Sequence, residues 1–263
     1  MKLRDLAAVA LFLITSGAAP PAGATDLAAH RAVYSLHLET THGGDVQAAT
    51  GTMAYEVQDA CDGWAVRQRL QMTVTNRDGQ DIDMLSDYTT WESKDGLRLR
   101  FRTRQTTDQA VTSDIAGEAT LHATGATGTA HFTSPAESTK ALPPGTLFPM
   151  KHTEALLIAA ESGKKLLELP LFDGTSASGA QDSSIVITNW AGPRPDKWPA
   201  LAKLASGRFH IAFFDRGPAG MEPDYEVSMR YWANGVADDL SMDFGDFVMA
   251  GTLAEFKLLG RHC

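Results

Sequence analysis

Two-residue alternation of apolar and polar side chains runs through most of this 263-residue chain and limits its fold more than any other feature. Tyr34, Leu36 and Leu38 alternate with polar or small residues, as do Met53, Tyr55 and Val57, then Trp64, Val66, Leu70, Met72 and Val74. A period of two is the signature of strands with one buried and one wet face. Gly, Asn and Asp clusters separate the runs, at Asp62-Gly63, Asn76-Arg77-Asp78-Gly79, Lys94-Asp95-Gly96 and Asn234-Gly235. Antiparallel hairpins require such turns. The alternation resumes with Leu167 and Leu169, Ile185 and Ile187, Phe209, Ile211 and Phe213, and Tyr225, Val227, Met229 and Tyr231, and Phe247 to Leu259 reads as a closing strand. The expectation is a mostly β chain built as a long antiparallel meander.

The middle of the chain interrupts that pattern. Pro143-Pro144-Gly145 marks a turn, and Pro149 precedes a run of good helix formers, Thr153 to Glu161, that stops before Gly163. Proline in the first turn and glycine just past the end predict one helix over about 149–162. Its expected buried face is Leu156, Leu157 and Ala160. A loop is expected over Ala191 to Asp196, and a short helical turn over Trp198 to Ala205.

One hairpin carries a testable register. With Asp95-Gly96 as its loop, Lys94 pairs with Leu97, and counting outward sets Asp87 opposite Arg104, Thr89 opposite Arg102 and Trp91 opposite Arg100. The other face then joins Ile82, Met84 and Tyr88 to Leu97, Leu99 and Phe101, apolar with apolar. Arg98, Arg100, Arg102 and Arg104 share the remaining face. We read it as a solvated strand face with cross-strand ion pairs and arginine over Trp91, each contact worth about 0.2–1 kcal/mol. The alternative is a strip that binds phosphate or carboxylate groups of lipid or cell wall.

The N-terminus reads as a leader. Lys2 and Arg4 precede the apolar run Leu6 to Ile14, and Ala22, Gly23 and Ala24 form a small-x-small cleavage site. Residues 1–24 are therefore expected to be a cleaved secretory signal peptide, leaving 25–263 as a single all-β domain. The apolar run is too short to span a bilayer, and no later segment is long and apolar enough to do so as a helix. The expected location is periplasmic. In an exported chain, two cysteines, Cys61 and Cys263, are most simply read as one disulfide tying the C-terminus to the first strands. The formal net charge of −9 argues against nucleic acid and against a general attraction to anionic membranes.

Catalytic patterns are missing. The histidines at 30, 37, 42, 122, 131, 152, 210 and 262 are scattered, with no His-x-x-x-His pair on the expected helix and no cysteine placed for a zinc cluster. His152, beside Glu154 at the helix start, reads as a capping or packing residue. Gly174-Thr175-Ser176-Ala177-Ser178-Gly179 lacks the spacing of a nucleophile elbow and reads as a flexible turn. Asp238, Asp239, Asp243 and Asp246 lack calcium-loop spacing and read as a solvated hairpin end. The expectation is no catalytic residue, no metal site and no cofactor.

Four features together resemble a known family. They are the start Leu27-Ala28-Ala29-His30-Arg31-Ala32-Val33-Tyr34, the segment Leu142-Pro143-Pro144-Gly145-Thr146-Leu147-Phe148-Pro149-Met150-Lys151-His152-Thr153, the turn Leu171-Phe172-Asp173-Gly174, and the two cysteines. In combination they are similar to the periplasmic cell-envelope integrity family called EipB, over essentially the whole mature chain. The resemblance implies a β-spiral, an open, barrel-like antiparallel sheet with a packed helix, and a disulfide whose positions Cys61 and Cys263 match. It implies a process, envelope maintenance and stress resistance in Gram-negative cells, and no reaction. The reading that follows is a non-enzymatic protein that binds or scaffolds envelope components, through an envelope protein partner or self-association. Alternatives are a lipid or acyl-chain carrier using the curved sheet, with lipid or peptidoglycan as ligand, and a cell-wall or lipid hydrolase. A carrier needs an open interior, whereas a docking module needs a filled one.

Overall fold

The computed structural model describes residues 26–216 and 222–260. Eight strands come first: β1 (His30–Thr41), β2 (Val46–Asp59), β3 (Gly63–Asn76), β4 (Asp81–Ser93), β5 (Arg98–Thr107), β6 (Ala110–Leu121), β7 (Gly128–Ser134) and β8 (Ser138–Leu142). The helix α1 (Pro149–Glu161) follows. Six strands complete the chain: β9 (Leu166–Leu171), β10 (Gln181–Ala191), β11 (Ser206–Asp215), β12 (Tyr225–Trp232), β13 (Ala237–Asp243) and β14 (Phe247–Leu258).

All fourteen strands form one antiparallel sheet in the order β8-β7-β6-β5-β4-β3-β2-β1-β14-β13-β12-β11-β10-β9. The meander expected from the turn spacing is thus two meanders. Each hairpin run is consecutive, but the runs join through β1 and β14, whose register sets His30 opposite Leu258 and Leu36 opposite Gly251. The first and last strands lie inside the sheet, and α1 links the two end strands, β8 and β9.

The sheet curls because one face is apolar along its length and must be covered. Tyr34, Val57, Val66, Ile185, Phe209 and Trp232 from both arms form the larger core. Leu156 and Leu157 of α1 fill it, each fully buried. The expected helical face is confirmed, and Met150, His152 and Ala159 are buried with it. A second core lies under β5–β7, where Phe101, Phe132 and Phe172 meet edge-to-face at 5.3–6.1 Å. That geometry suits the ring quadrupoles.

The Asp95-Gly96 hairpin has the predicted register: Asp87 faces Arg104, Thr89 faces Arg102 and Trp91 faces Arg100. The expected strand over Phe247 to Leu259 ends at Leu258, and Leu259 N–H donates to Ala29 O at 2.8 Å. Around Trp198 the backbone makes turns: the Leu201 and Ala202 N–H groups both donate to Trp198 O, at 2.9 and 3.0 Å.

Candidate functional site

The helix that fills the barrel is held at its N-terminus by a residue distant in sequence. Phe148 occupies the cap position and offers no side-chain acceptor. The first N–H groups of a helix have no intrahelical partner. Here Glu92, on β4, accepts from Met150 N–H at 2.7 Å and Lys151 N–H at 3.0 Å. A carboxylate at this end also suits the helix dipole. Glu92 is only 1% exposed. Burial drives its carboxyl up to about 7, against the pull of the two backbone donors and of the Lys151 charge. The Asp95-Gly96 turn lies close over the same helix end: a Cβ on Gly96 would sit 2.3 Å from Lys151 Cγ.

His152 lies one residue further along, 5% exposed, with Nε2 2.8 Å from Ser183 Oγ. This buried Ser–His contact is the closest approach to a nucleophile–base pair at the helix. Its hydrogen bonding argues against that role. Ser183 Oγ donates its single proton to Leu169 O at 2.7 Å, so Nε2 carries the hydrogen in this contact and Oγ accepts it. A nucleophilic serine needs the opposite polarity. Burial also holds the imidazole down at about 4 and so neutral.

These two groups predict opposite pH effects. The Glu92 value lies above its ordinary 4.5, so its stabilising contribution is complete below pH 4.5 and is lost as pH rises through 7. The His152 value lies below its ordinary 6.5, so its contribution is complete above pH 6.5 and is lost as pH falls through 4. Each shift corresponds to about 3 kcal/mol, of opposite sign over nearly the same window. Relative to wild type, His152→Gln is expected to gain stability on going from pH 7 to pH 4.5, and Glu92→Gln to lose it. Denaturant melts across that range read the difference, and parallel curves for the two variants would contradict the assignment.

The Gly174–Gly179 segment is anchored, not the flexible turn expected from its composition. Tyr88 OH donates to Asp173 O at 2.8 Å and Thr103 Oγ1 to Gly174 O at 3.3 Å. Gly174 takes φ +77°, and a Cβ there would lie 2.3 Å from the Phe101 ring. Glycine is therefore required for the turn to seat on the second core. Ser176 Oγ is occupied, accepting from Ser178 N–H at 3.1 Å.

The four aspartates do not converge. Asp238 is buried, and its Oδ1 accepts from the Asp239 and Leu253 N–H groups. Asp239 faces Arg208 and Arg230, whereas Asp243 faces His42 at 3.1 Å. The reading as a solvated hairpin end therefore holds only in part, because Asp238 is a structural acceptor. Among the described residues, no group of three or more His, Cys, Asp or Glu is placed to hold a metal ion.

The sheet does not close on itself. Near β9, Leu147 N–H donates to Pro170 O at 2.8 Å, and Leu147 O accepts from Phe172 N–H at 3.0 Å. This short parallel bridge engages only the C-terminal end of β9. Leu166, at the other end, is 72% exposed. On the far side, β8 is exposed from Ser138 to Ala141. Cys61 sits in the β2–β3 turn with φ +66°. Cys263 and residues 1–24 lie outside the described residues.

These features define a class: a barrel-like protein made of one open antiparallel sheet, plugged by a helix that a buried carboxylate caps. The chain belongs to the EipB-like family, whose profile matches residues 21–260. It is 31% identical over 252 residues to the cell envelope integrity protein EipB of Brucella abortus (strain 2308), covering 92% of this chain and 88% of that one. It also matches the crystal structure of a β-barrel-like protein of a domain of unknown function from Brucella abortus. The TM-score is 0.80 at 29% identity, over 89% of this chain and 99% of that chain. Neither the family nor these two relatives is described as an enzyme. Among the described residues, no helix is long and apolar enough to cross a membrane.

Proposed function

We propose that this chain is a non-enzymatic periplasmic protein that maintains cell-envelope integrity by binding or scaffolding other envelope components along the open edges of its sheet. The observation that carries the reading is the unclosed sheet. An edge strand presents unpaired N–H and C=O groups, a ready template for a partner strand or a second copy. The filled interior supports docking over carriage: Trp232, Tyr34, Phe209, Leu156 and Leu157 occupy the space an acyl chain would need. A concavity of about 430 Å³ along β2–β5 is lined mainly by Thr50, Thr52, Gln71, Thr73, Leu85 and Thr106, which alternate with the inward-facing residues. The name of the Brucella relative supports the envelope process.

Deletion is expected to sensitise cells to detergents and wall-directed antibiotics, and edge variants test how the protein acts. Adjacent strand residues point their N–H groups to opposite edges. Of Thr139→Pro and Lys140→Pro, one therefore removes an outward donor of β8 while keeping its pairing with β7. That variant should fold like wild type and fail to restore the barrier. If it restores the barrier fully, β8 is not the docking edge.

Export is part of the same proposal, with cleavage after Ala24 and a Cys61–Cys263 disulfide. The path of the last strand supports the bond. Leu258 pairs with His30, and His30 pairs with Val57 on the other side, four residues before Cys61. Two strand spacings, about 10 Å, separate β14 from β2, well within reach of the five residues that follow Leu258.

A further inference from the structure

The outer face of β3–β6 splits into a neutralised half and a cationic half. Towards the β3–β4 turn, Arg69 grips Asp87 at 2.6 and 2.8 Å, Arg102 grips Asp114 at 2.9 and 3.0 Å, and Arg104 lies 3.7 Å from Asp114. This half is the ion-paired strand face that the sequence suggests. Towards the β4–β5 turn, Arg67, Arg98 and Arg100 are exposed and make no ion pair within 4.0 Å among the described residues, although Glu56, gripped by Arg31, lies opposite Arg67 and Asp95 feels the charge of Arg98. Glu118 faces Arg100 across the β5–β6 register without reaching it.

Arg98 and Arg100 are held by an aromatic ring instead. Their Cζ atoms lie 5.7 and 5.2 Å from the Trp91 ring centroid. The indole packs directly on Gly63, where a Cβ would come within 2.6 Å of it. Any larger residue at 63 would displace the ring that positions both arginines. A guanidinium held on a ring face keeps its in-plane N–H donors, and that fork matches phosphate oxygens. The face thus presents two fixed guanidiniums with unspent donors, and Arg67 stands two strands from Arg102 in the neighbouring row.

We propose that Arg67, Arg98 and Arg100 with Trp91 form a docking surface for the phosphate headgroups of an anionic phospholipid bilayer. The patch shares the outer face with the concavity along β2–β5 but lies nearer the β4–β5 turn, and none of Arg67, Trp91, Arg98 and Arg100 lines that hollow, so it suits an extended planar partner better than a small enclosed ligand. Tryptophan and arginine together are suited to a headgroup layer, one amphipathic and one cationic. The overall charge of −9 does not oppose this at contact. At physiological salt the Debye length is about 8 Å, so carboxylates on the far side of the barrel are screened while the patch is not.

The test is co-sedimentation of the mature chain with phosphatidylcholine vesicles, with and without phosphatidylglycerol. Binding is expected only to the anionic vesicles and should weaken as salt rises. Arg98→Ala with Arg100→Ala should bind about thirtyfold more weakly, from roughly fivefold per arginine. Both side chains are exposed, so the fold should persist, and unchanged circular dichroism would verify this. Arg216→Ala, on the other arm and paired with Asp182, should bind like wild type. Absence of binding by the wild-type chain overturns the proposal and leaves an acidic protein segment to account for the face. Equal binding by the double variant overturns it too. Either failure leaves the edge-docking assay on β8 untouched.

Discussion

Replacing Glu92 by Ala is expected to lower the unfolding free energy by about 3 kcal/mol. The change strands two N–H donors, the buried one of Met150 at about 1–3 kcal/mol and the part-buried one of Lys151 at the lower end of that range. Removing a carboxylate that burial already disfavours offsets part of that cost. Water cannot readily replace the lost acceptor, because Phe148 and Met150 are buried beside it. Urea melts with an unchanged slope would read the loss as stability and not as altered compactness. Glu154→Ala is the comparison, since it removes only the partly exposed Lys151 partner, worth less than about 1 kcal/mol. If Glu92→Ala stays within about 0.5 kcal/mol of wild type, the cross-sheet cap is not what seats the helix.

The proposed Cys61–Cys263 bond predicts the largest single effect. It closes a loop of roughly 200 residues, for which the chain-entropy relation extrapolates to about 5 kcal/mol, an upper figure because residual unfolded structure reduces it. Cys61→Ser should lower the thermal midpoint and weaken function without abolishing folding, since two cores remain. Intact mass of protein recovered from the periplasm reads the whole proposal. The expected species starts at Thr25 and lacks the two thiol hydrogens. A species retaining residues 1–24, or one whose cysteines both react with a thiol reagent before reduction, would contradict it.

Local chemistry was legible wherever it was periodic or close in sequence. Alternation located strands such as Tyr34-Leu36-Leu38, and a two-residue loop set the pairing of Asp87 with Arg104 because neither depends on distant residues. The β1–β14 junction was not legible. It pairs the two ends of the chain, and no turn chemistry records which strands meet across more than 200 residues. Glu92 escaped for the same reason. Within β4 it reads as one more polar strand residue, and only the curl of the sheet brings it beneath α1, 58 residues away. The anchoring of Gly174 on Phe101 was hidden by composition, because Gly, Ser and Thr look alike in a free loop and in a seated one. On the arginine ladder both expected contacts, cross-strand ion pairs and arginine over Trp91, are present, but which arginine makes which was not legible, since it depends on Asp114 of β6 reaching Arg102 and Arg104 and not Arg98 or Arg100.

The central claim is that this protein acts by binding, with no catalytic residue, and complementation of a deletion strain tests it most directly. His152, Ser176 and Asp243 are the side chains a hidden reaction or metal site would most plausibly use. The account predicts that His152→Ala, Ser176→Ala and Asp243→Ala each restore resistance to detergents and wall-directed antibiotics nearly as well as the wild-type chain. Should any one of them behave like the deletion while the protein stays folded and abundant, an active or metal site exists and the binding account is wrong.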